Sequence, residues 1–226
     1  MASAIATTKL RDPDRSRAAI LDAAEQLFAE RGFEGTSLGE IGATAGVSRA
    51  TPSYFFGSKE KLYTRVLERV FAEREAATRQ AFEPLLVWIR DGTGSLPAAL
   101  GQAVEGYTAF LRDRPAFVRL VQREELTGGH RLRATPQESR AITDAFEALR
   151  AIARKRGLRS FRVDDAVLLF VSLTFSPLTQ RSTFMTALRR DLDDPSTRRR
   201  HVALVVDQLL HVLLPQGRAG DRASRR

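Results

Sequence analysis

The sequence contains no cysteine among its 226 residues. This absence excludes disulfide bonds, thiolate metal ligands and a cysteine nucleophile. The sequence also lacks an apolar run of the ~18 to 20 residues that a membrane-spanning helix needs. Its N-terminus has no apolar stretch followed by a small-residue cleavage site, as a secretory signal would. We therefore expect a cytoplasmic protein with no membrane partner.

Residues for catalysis or metal binding are also scarce. The three histidines, His130, His201 and His211, do not have the spacing of metal ligands, since the last two lie roughly 80° apart around a helix. The segment "GEIGATAG" follows no strand and matches neither a dinucleotide-binding nor a phosphate-binding loop. No nucleophile, base and acid come together in a local motif. We expect no catalytic residue, no metal and no cofactor.

The formal net charge of +9 is distributed unevenly along the chain. Residues 1–62 carry eight basic and eight acidic side chains, residues 63–153 have a net charge of +1, and residues 154–226 have a net charge of +8. A high positive charge is typical of nucleic-acid-binding proteins. Here the N-terminal region is neutral, so DNA binding there depends on where a few cations are placed.

The apolar pattern is helical throughout, and no alternating strand pattern is present. In the first helix, Asp12 is predicted as the N-cap and Pro13 as the first helical residue. Apolar residues from Ile20 to Phe28 follow at helical spacing. Gly32 predicts the end of this helix, with Phe33 behind it as a hydrophobic contact.

Two short helices follow. Ser37 and Glu40 have the spacing of a capping box, which predicts the start of a second helix. Gly46 ends that helix, and Ser48 is a candidate cap for a third. A long helix followed by two short helices around a glycine turn is typical of a helix-turn-helix.

The remaining residues predict an all-α protein of about nine helices. Beyond the helix-turn-helix, glycine- and proline-containing segments separate further predicted helices, with approximate spans 59–82, 96–112, 115–127, 136–156, 163–176 and 196–214.

The stretch from Asp12 to Tyr63 resembles the TetR family of bacterial transcriptional regulators and is AcrR-like. The resemblance rests on "AEQLFAERGF", the "TS" before the second helix, "AGVS", and "YFFGSKEKL". It implies an all-helical homodimer with an N-terminal DNA-binding domain and a C-terminal domain for effector binding and dimerisation. The partners implied are double-stranded operator DNA, a second copy of the chain and a small-molecule effector, whose entry changes the spacing of the two DNA-binding heads.

The resemblance also gives domain limits and DNA contacts. We expect a flexible basic arm at 1–12, a DNA-binding domain at 13–73, an effector and dimerisation domain at 74–214 and a disordered basic tail at 215–226. The family's DNA-contact positions fall on Thr36, Ser37, Ser48, Arg49, Ala50, Thr51, Ser53, Tyr54, Phe55 and Lys59.

The chemistry of these residues agrees with such contacts. Arg49 is a candidate for bidentate bonding to a guanine edge, and the alternatives are a phosphate contact or a solvated cation. Ser37 at a helix N-terminus suits a phosphate, and Tyr54 and Lys59 suit the DNA backbone. Phe55 occupies a position where the family frequently has histidine, so it stacks or packs without donating a hydrogen bond.

The two most apolar predicted helices, 163–176 and 196–214, have apolar residues on more than one side. In the family the last two helices pair with those of a second subunit, and the alternative is a core within one chain. The predicted dimer interface comprises Val167, Phe170, Val171, Leu204, Leu209 and Val212.

Aromatic residues of the middle helices are candidates for an effector pocket, although aromatic residues at helical spacing also form plain cores. Arg123, on a largely apolar helix, either points inward to a ligand or forms a surface salt bridge. The predicted pocket comprises Trp88, Phe110, Phe117, Arg123, Phe146 and Phe175.

Pro52, which has no backbone N–H to donate, falls near the start of the predicted third helix. We expect a 3₁₀-like turn over Ser48–Thr51, followed by a short helix to Phe56 that Pro52 stiffens. The main hypothesis is a ligand-released repressor that binds a palindromic operator as a homodimer. The alternative is a helical small-molecule-binding or enzymatic bundle in which the N-terminal helix pair is only structural.

Overall fold

The computed structural model describes residues 12–134 and 140–215, and within these residues there are helices and no β-strands. The elements, in chain order, are α1 Pro13–Arg31, α2 Leu38–Thr44, α3 Thr51–Phe56, α4 Lys59–Asp91, α5 Leu96–Asp113, α6 Pro115–Leu126, α7 His130–Ala134, α8 Ala141–Ile152, α9 Val163–Thr179, a π-helical turn at Arg181–Met185, and α10 Pro195–Leu213. This confirms the all-α prediction. Residues 1–11 and 216–226, from the predicted arm and tail, lie outside the described part.

The start and end of α1 and the start of α2 lie where their capping residues predict. The Asp12 carboxylate accepts a hydrogen bond of 3.0 Å from the Asp14 N–H at the start of α1. Ser37 and Glu40 form a complete capping box on α2, each accepting from the other's backbone N–H. Gly32, with a φ of 77°, ends α1. Local hydrogen bonding therefore sets these helix boundaries.

The prediction that the fourth helix ends at residue 82 is wrong, because α4 continues through Pro84 to Asp91. Proline removes one backbone donor and normally interrupts a helix. Here the flanking side chains of Phe82 and Leu85 are fully buried. Burying each such side chain stabilises the fold by about 1.5 to 3 kcal/mol, which offsets the lost hydrogen bond.

Three other predicted helices are present with shifted ends. The helix predicted at 163–176 extends to Thr179 and contains Pro177. The one predicted at 136–156 is observed at Ala141–Ile152, and residues 135–139 lie outside the described part. The last helix starts at Pro195, after an Asp194 cap.

The described residues divide into two compact units. The N-terminal unit comprises residues 12–70 and 119–134, and the C-terminal unit comprises residues 71–118 and 140–215. Residues 119–134 are thus packed with the helix-turn-helix, although they are distant from it in sequence. Each unit has its own core.

The core of the N-terminal unit is centred on Tyr63 and Phe28. Their rings pack edge to face with centroids 4.8 Å apart, and Phe33 packs against Tyr63 at 5.2 Å. Ile20 and Ile41 are fully buried around them. This core fixes α1 and α2 against the beginning of α4.

The core of the C-terminal unit is also aromatic. Phe170 packs against Phe82 at 5.1 Å, Tyr107 at 5.3 Å and Phe146 at 6.2 Å, measured between ring centroids. These contacts join α4, α5, α8 and α9. No helix in the described ranges is long and apolar enough to span a bilayer.

Candidate nucleic-acid interface

The junction of α2 and α3 requires glycine at two positions, Gly42 within α2 and Gly46 in the turn that follows it. Gly46 has a φ of 66°, a left-handed conformation that glycine adopts without strain. The Val47 N–H then donates to the Gly42 carbonyl at 2.9 Å. A Cβ atom at Gly42 would lie 2.7 Å from the Ser48 carbonyl oxygen. The backbone of α2 therefore packs directly against the backbone of the segment before α3.

The first turn of the third helix has the predicted 3₁₀-like form. The Thr51 N–H donates to the Ser48 carbonyl at 3.0 Å, three residues back, whereas the Tyr54 N–H donates four residues back to Ala50 at 3.1 Å. Pro52 is the second residue of α3, where a helix leaves backbone donors unused. The prediction that Ser48 caps this helix, however, is wrong. Ala50 is the N-cap, and its methyl side chain cannot form a capping hydrogen bond. The Ser48 hydroxyl instead lies 2.7 Å from the Thr51 hydroxyl and bonds to it.

Arg49 lies in this turn, immediately before α3. Its aliphatic chain covers Gly39, since a Cβ atom there would be 3.8 Å from the Arg49 Cδ. The side chain is exposed. Within residues 12–134 and 140–215, no ion pair or hydrogen bond engages its guanidinium group. The fold therefore presents an unpaired cation at the start of the third helix.

Thr36 differs from the other predicted contact residues because its side chain is buried, with 3% exposed. Its hydroxyl donates to the Gly32 carbonyl at 2.9 Å and lies 3.2 Å from the Leu27 carbonyl. The Thr36 side chain fastens the α1–α2 loop to the end of α1 and is not presented at the surface. Of the remaining predicted contact residues, the exposed ones are Ser37, Ser48, Arg49, Ala50, Ser53 and Tyr54, and the half-buried ones are Thr51, Phe55 and Lys59.

The aromatic residues of α3 are held differently from each other. Tyr54 is 84% exposed. Phe55 packs against Tyr54 with centroids 5.3 Å apart, and the guanidinium carbon of Arg17 lies 5.2 Å from its ring centroid. Lys59 places its ammonium group 4.3 Å from the centroid of Phe33. Cation–π contacts therefore position both Arg17 and Lys59 beside the helix-turn-helix.

A buried polar pair, Tyr63 and Glu124, lies in the core of the N-terminal unit. This pair was not predicted from the sequence. The Tyr63 hydroxyl donates a 2.7 Å hydrogen bond to Glu124, which is 2% exposed. Burial, followed by the hydrogen bond to Glu124, raises the pKa of Tyr63, so the hydroxyl stays protonated as a donor. The sequence signal for this pair was Glu124, a charged residue on a largely apolar helix. Its partner Tyr63 could not be identified from the sequence because it lies 61 residues away.

Arg123 does not line a cavity of the C-terminal unit. It lies in the N-terminal unit, where its Nε donates to the Ala29 carbonyl at 2.9 Å and its Nη2 donates to the Glu30 carbonyl. These carbonyls belong to the last turn of α1. Arg123 therefore satisfies backbone acceptors at a helix end.

The aromatic residues predicted for a pocket occupy three places in the C-terminal unit. Phe117 contacts Phe110 and Phe175, with centroids 5.5 and 6.4 Å apart. Phe146 is fully buried in the core around Phe170. Trp88 lies under Arg156, whose guanidinium carbon is 5.3 Å from the ring centroid. The structure brings together only three of the predicted residues.

The residues predicted for a dimer interface separate into buried and exposed groups. Phe170 and Leu209 are fully buried inside their own unit, so they present no surface to a partner. Leu204 on α10 is 46% exposed, and Leu168 on α9 is 67% exposed. Val167, Val171 and Val212 are half-buried. An open groove of about 810 Å³ runs between α8 and α9, and its lining includes Val167, Leu168 and Val171.

Comparison with known proteins agrees with this geometry. Residues 20–66 match the family described as bacterial regulatory proteins, tetR family, and residues 97–209 match the tetracyclin repressor-like C-terminal domain. The chain is 29% identical to the HTH-type transcriptional repressor NicS of Pseudomonas putida over 91% of this chain and 95% of that protein. It is 35% identical to the HTH-type transcriptional regulator RutR of Escherichia coli over 55% of this chain and 56% of that protein.

The fold is likewise shared with a solved structure. A crystal structure of a TetR-family transcriptional regulator from Mesorhizobium loti covers 92% of this chain and all of that one, with a TM-score of 0.66 and 19% sequence identity. The matched proteins are transcriptional regulators. This favours a DNA-binding regulator over the alternative of a small-molecule-binding or enzymatic bundle whose N-terminal helix pair is only structural. Two family domains, an all-helical fold and an exposed helix-turn-helix identify the chain as a transcriptional regulator that belongs to the TetR family.

Proposed function

We propose that this regulator is a ligand-released repressor that binds palindromic operator DNA as a homodimer. The observation that carries the proposal is Arg49, an exposed and unpaired cation held before α3 by a turn that Gly42, Gly46 and Pro52 constrain. A rigid support reduces the conformational entropy lost when the side chain binds. Its relative NicS is named a repressor.

In this proposal α3 enters the major groove and reads base edges. Arg49 forms two hydrogen bonds with a guanine, the commonest specific contact of an arginine in that groove. Tyr54 and Ser53, exposed on α3, contact the groove or its adjacent backbone. Ser37 and Lys59 bind phosphates, which position the helix without reading sequence.

The homodimer is proposed to form through α9 and α10. Leu168 and Leu204 expose large apolar side chains on these helices, and a second copy would cover them. The proposed interface consists of these two leucines with Val167, Val171 and Val212. Phe170 and Leu209 support it from the core.

Selection of bound DNA from a random double-stranded library tests the DNA-binding proposal. We expect enrichment of an inverted repeat with half-site centres about 34–36 Å apart, or a multiple of one helical turn. Recovery of no sequence, or of a single half-site, contradicts the dimeric repressor. A reporter placed behind the selected sequence should be less active in the presence of the protein.

The oligomeric state tests the interface. Leu204→Glu places a charge on the proposed contact surface and should convert the dimer into a monomer in analytical ultracentrifugation. Leu126→Glu is the matched control, because Leu126 is 87% exposed and lies in the N-terminal unit. A dimer that survives Leu204→Glu would exclude this surface as the interface.

A further inference from the structure

Arg74 is a half-buried cation in the C-terminal unit that the structure leaves uncompensated. Its Nε is buried and has no hydrogen-bond partner. Across the described ranges, no carboxylate pairs with its guanidinium group. The protein group that bonds to it is the hydroxyl of Tyr107, which is neutral and does not balance the charge. A buried charge without a partner is costly. Such a group is therefore typical of a site that an oppositely charged ligand completes.

Other arginines of α4 are compensated, which makes Arg74 distinct. Arg79, one turn further along the helix, pairs with Glu75 at 3.0 Å. Arg69 bonds to Asp22 at 2.7 Å and to Glu25 at 2.5 Å. The acidic neighbour of Arg74 in sequence, Glu73, forms an ion pair with Arg114 instead.

The Arg74 guanidinium lies beside the hydroxyl of Tyr107, a residue of α5 that is 2% exposed. Burial raises the pKa of Tyr107, and the positive charge of Arg74 and the hydrogen bond that Arg74 donates to the hydroxyl oxygen act in the opposite direction. The hydroxyl is therefore protonated at neutral pH and is a hydrogen-bond donor. The hydroxyl oxygen accepts from Arg74, and its hydrogen is left to donate beside the planar guanidinium group.

Aromatic rings adjoin this polar pair. The Arg74 guanidinium carbon lies 5.4 Å from the centroid of the Phe71 ring. Phe71 packs edge to face against Phe117 at 5.4 Å, and Phe117 continues the contact to Phe110 at 5.5 Å. An apolar surface thus begins directly beside the cation.

We propose that Arg74 and Tyr107 bind the carboxylate of a small aromatic monocarboxylic acid, and that this acid is the effector. The arginine fork donates to both carboxylate oxygens and the tyrosine hydroxyl donates to one of them. The ligand ring packs against the phenylalanine cluster. One cation balances one carboxylate, whereas a phosphate dianion would need a second positive charge. The proposal rests on the proposed function of the C-terminal unit as an effector domain.

Calorimetric titration of the full-length protein with benzoate, phenylacetate and cinnamate tests the proposal, and their primary amides are the uncharged probes. We expect at least one acid to bind and its amide to bind more weakly by about ten-fold or more, as expected when a charge-assisted contact is lost. Arg74→Gln should weaken the acid to the level of the amide. Arg79→Gln, on the exposed side of the same helix, is the control and should bind as the wild type.

Tyr107→Phe gives a second test that does not depend on the arginine variant folding. It should weaken the acid more than the amide, because a hydrogen bond from the hydroxyl to a charged carboxylate is stronger than one to a neutral amide carbonyl. Failure of all three acids to bind, or equal binding by the wild type and Arg74→Gln, would overturn the proposal. Operator binding is measured separately on the same variants without ligand. If the wild type does not bind the operator, the repressor function is refuted. The calorimetric titration still tests the ligand site in that case.

Discussion

Gly42 and Ser48 approach each other so closely that a Cβ atom at Gly42 would be 2.7 Å from the Ser48 carbonyl oxygen. The same atom would also lie 3.3 Å from Cδ of Pro52. This contact sets the distance between α2 and the turn that carries Arg49. The position of the exposed Arg49 side chain therefore depends on the absence of a side chain at Gly42.

Gly42→Ala should destabilise the N-terminal unit by about 1 to 3 kcal/mol, because the added methyl group forces the two backbone segments apart. Urea denaturation measures the change. The matched control is Gly39→Ala on the same helix, where the new Cβ would be 3.8 Å from the nearest atom of Arg49. The control should lose much less stability. Equal stability of the two variants would contradict this account of the turn.

Tyr63→Phe should cost about 1 to 3 kcal/mol of unfolding free energy, because it leaves the buried Glu124 carboxylate without its hydroxyl donor. Tyr54→Phe removes the same hydroxyl from an exposed position and should change stability by less than about 0.5 kcal/mol. Chemical denaturation of both variants provides the comparison. If the two variants are equally stable, the hydrogen bond between Tyr63 and Glu124 does not stabilise the unit.

His201 predicts a pH dependence of stability. Burial lowers the pKa of His201 below its ordinary value of 6.5, and Arg190 lowers it further, whereas a hydrogen bond to the Leu173 backbone opposes this change. Below about pH 6.5 the unfolded chain therefore binds a proton that the folded chain does not, so stability decreases as the pH falls. Thermal unfolding between pH 7.5 and 5.5 should show the decrease, and His201→Gln should reduce it.

The control for this experiment is His211→Gln, a change at an exposed histidine on the same helix. It should keep the pH dependence of the wild type. An unchanged pH dependence in His201→Gln would show that other groups cause it.

Local features of the sequence predicted the helix ends well, because capping is a contact between near neighbours. Asp12, Ser37 and Gly32 act at the expected helix ends, and the turn over Ser48–Thr51 has the expected hydrogen bond. The continuation of α4 through Pro84 was not predictable in this way. It depends on side chains packed against the helix from distant parts of the chain.

The burial of individual side chains was also not predictable from the helical spacing of apolar residues. Helical spacing shows that Phe146 and Phe110 lie on apolar faces, but only the tertiary structure separates the core position of the first from the cluster that contains the second. The same limit applies to Thr36, which falls on a DNA-contact position of the family and is nevertheless buried. Arg74 was missed because its distinction is that no carboxylate pairs with it in the described residues, and ion pairing is a property of the fold.

The most direct test of the central claim is an anisotropy titration of the selected operator with wild type, Arg49→Ala and Arg65→Ala. Arg65 is an exposed arginine of α4 that pairs with Glu68, so its variant controls for the loss of one positive charge. We predict that Arg49→Ala loses about 1 to 3 kcal/mol of specific binding, while its melting temperature and its binding to scrambled DNA stay close to those of the wild type. Specific binding by Arg49→Ala equal to that of Arg65→Ala would contradict the account.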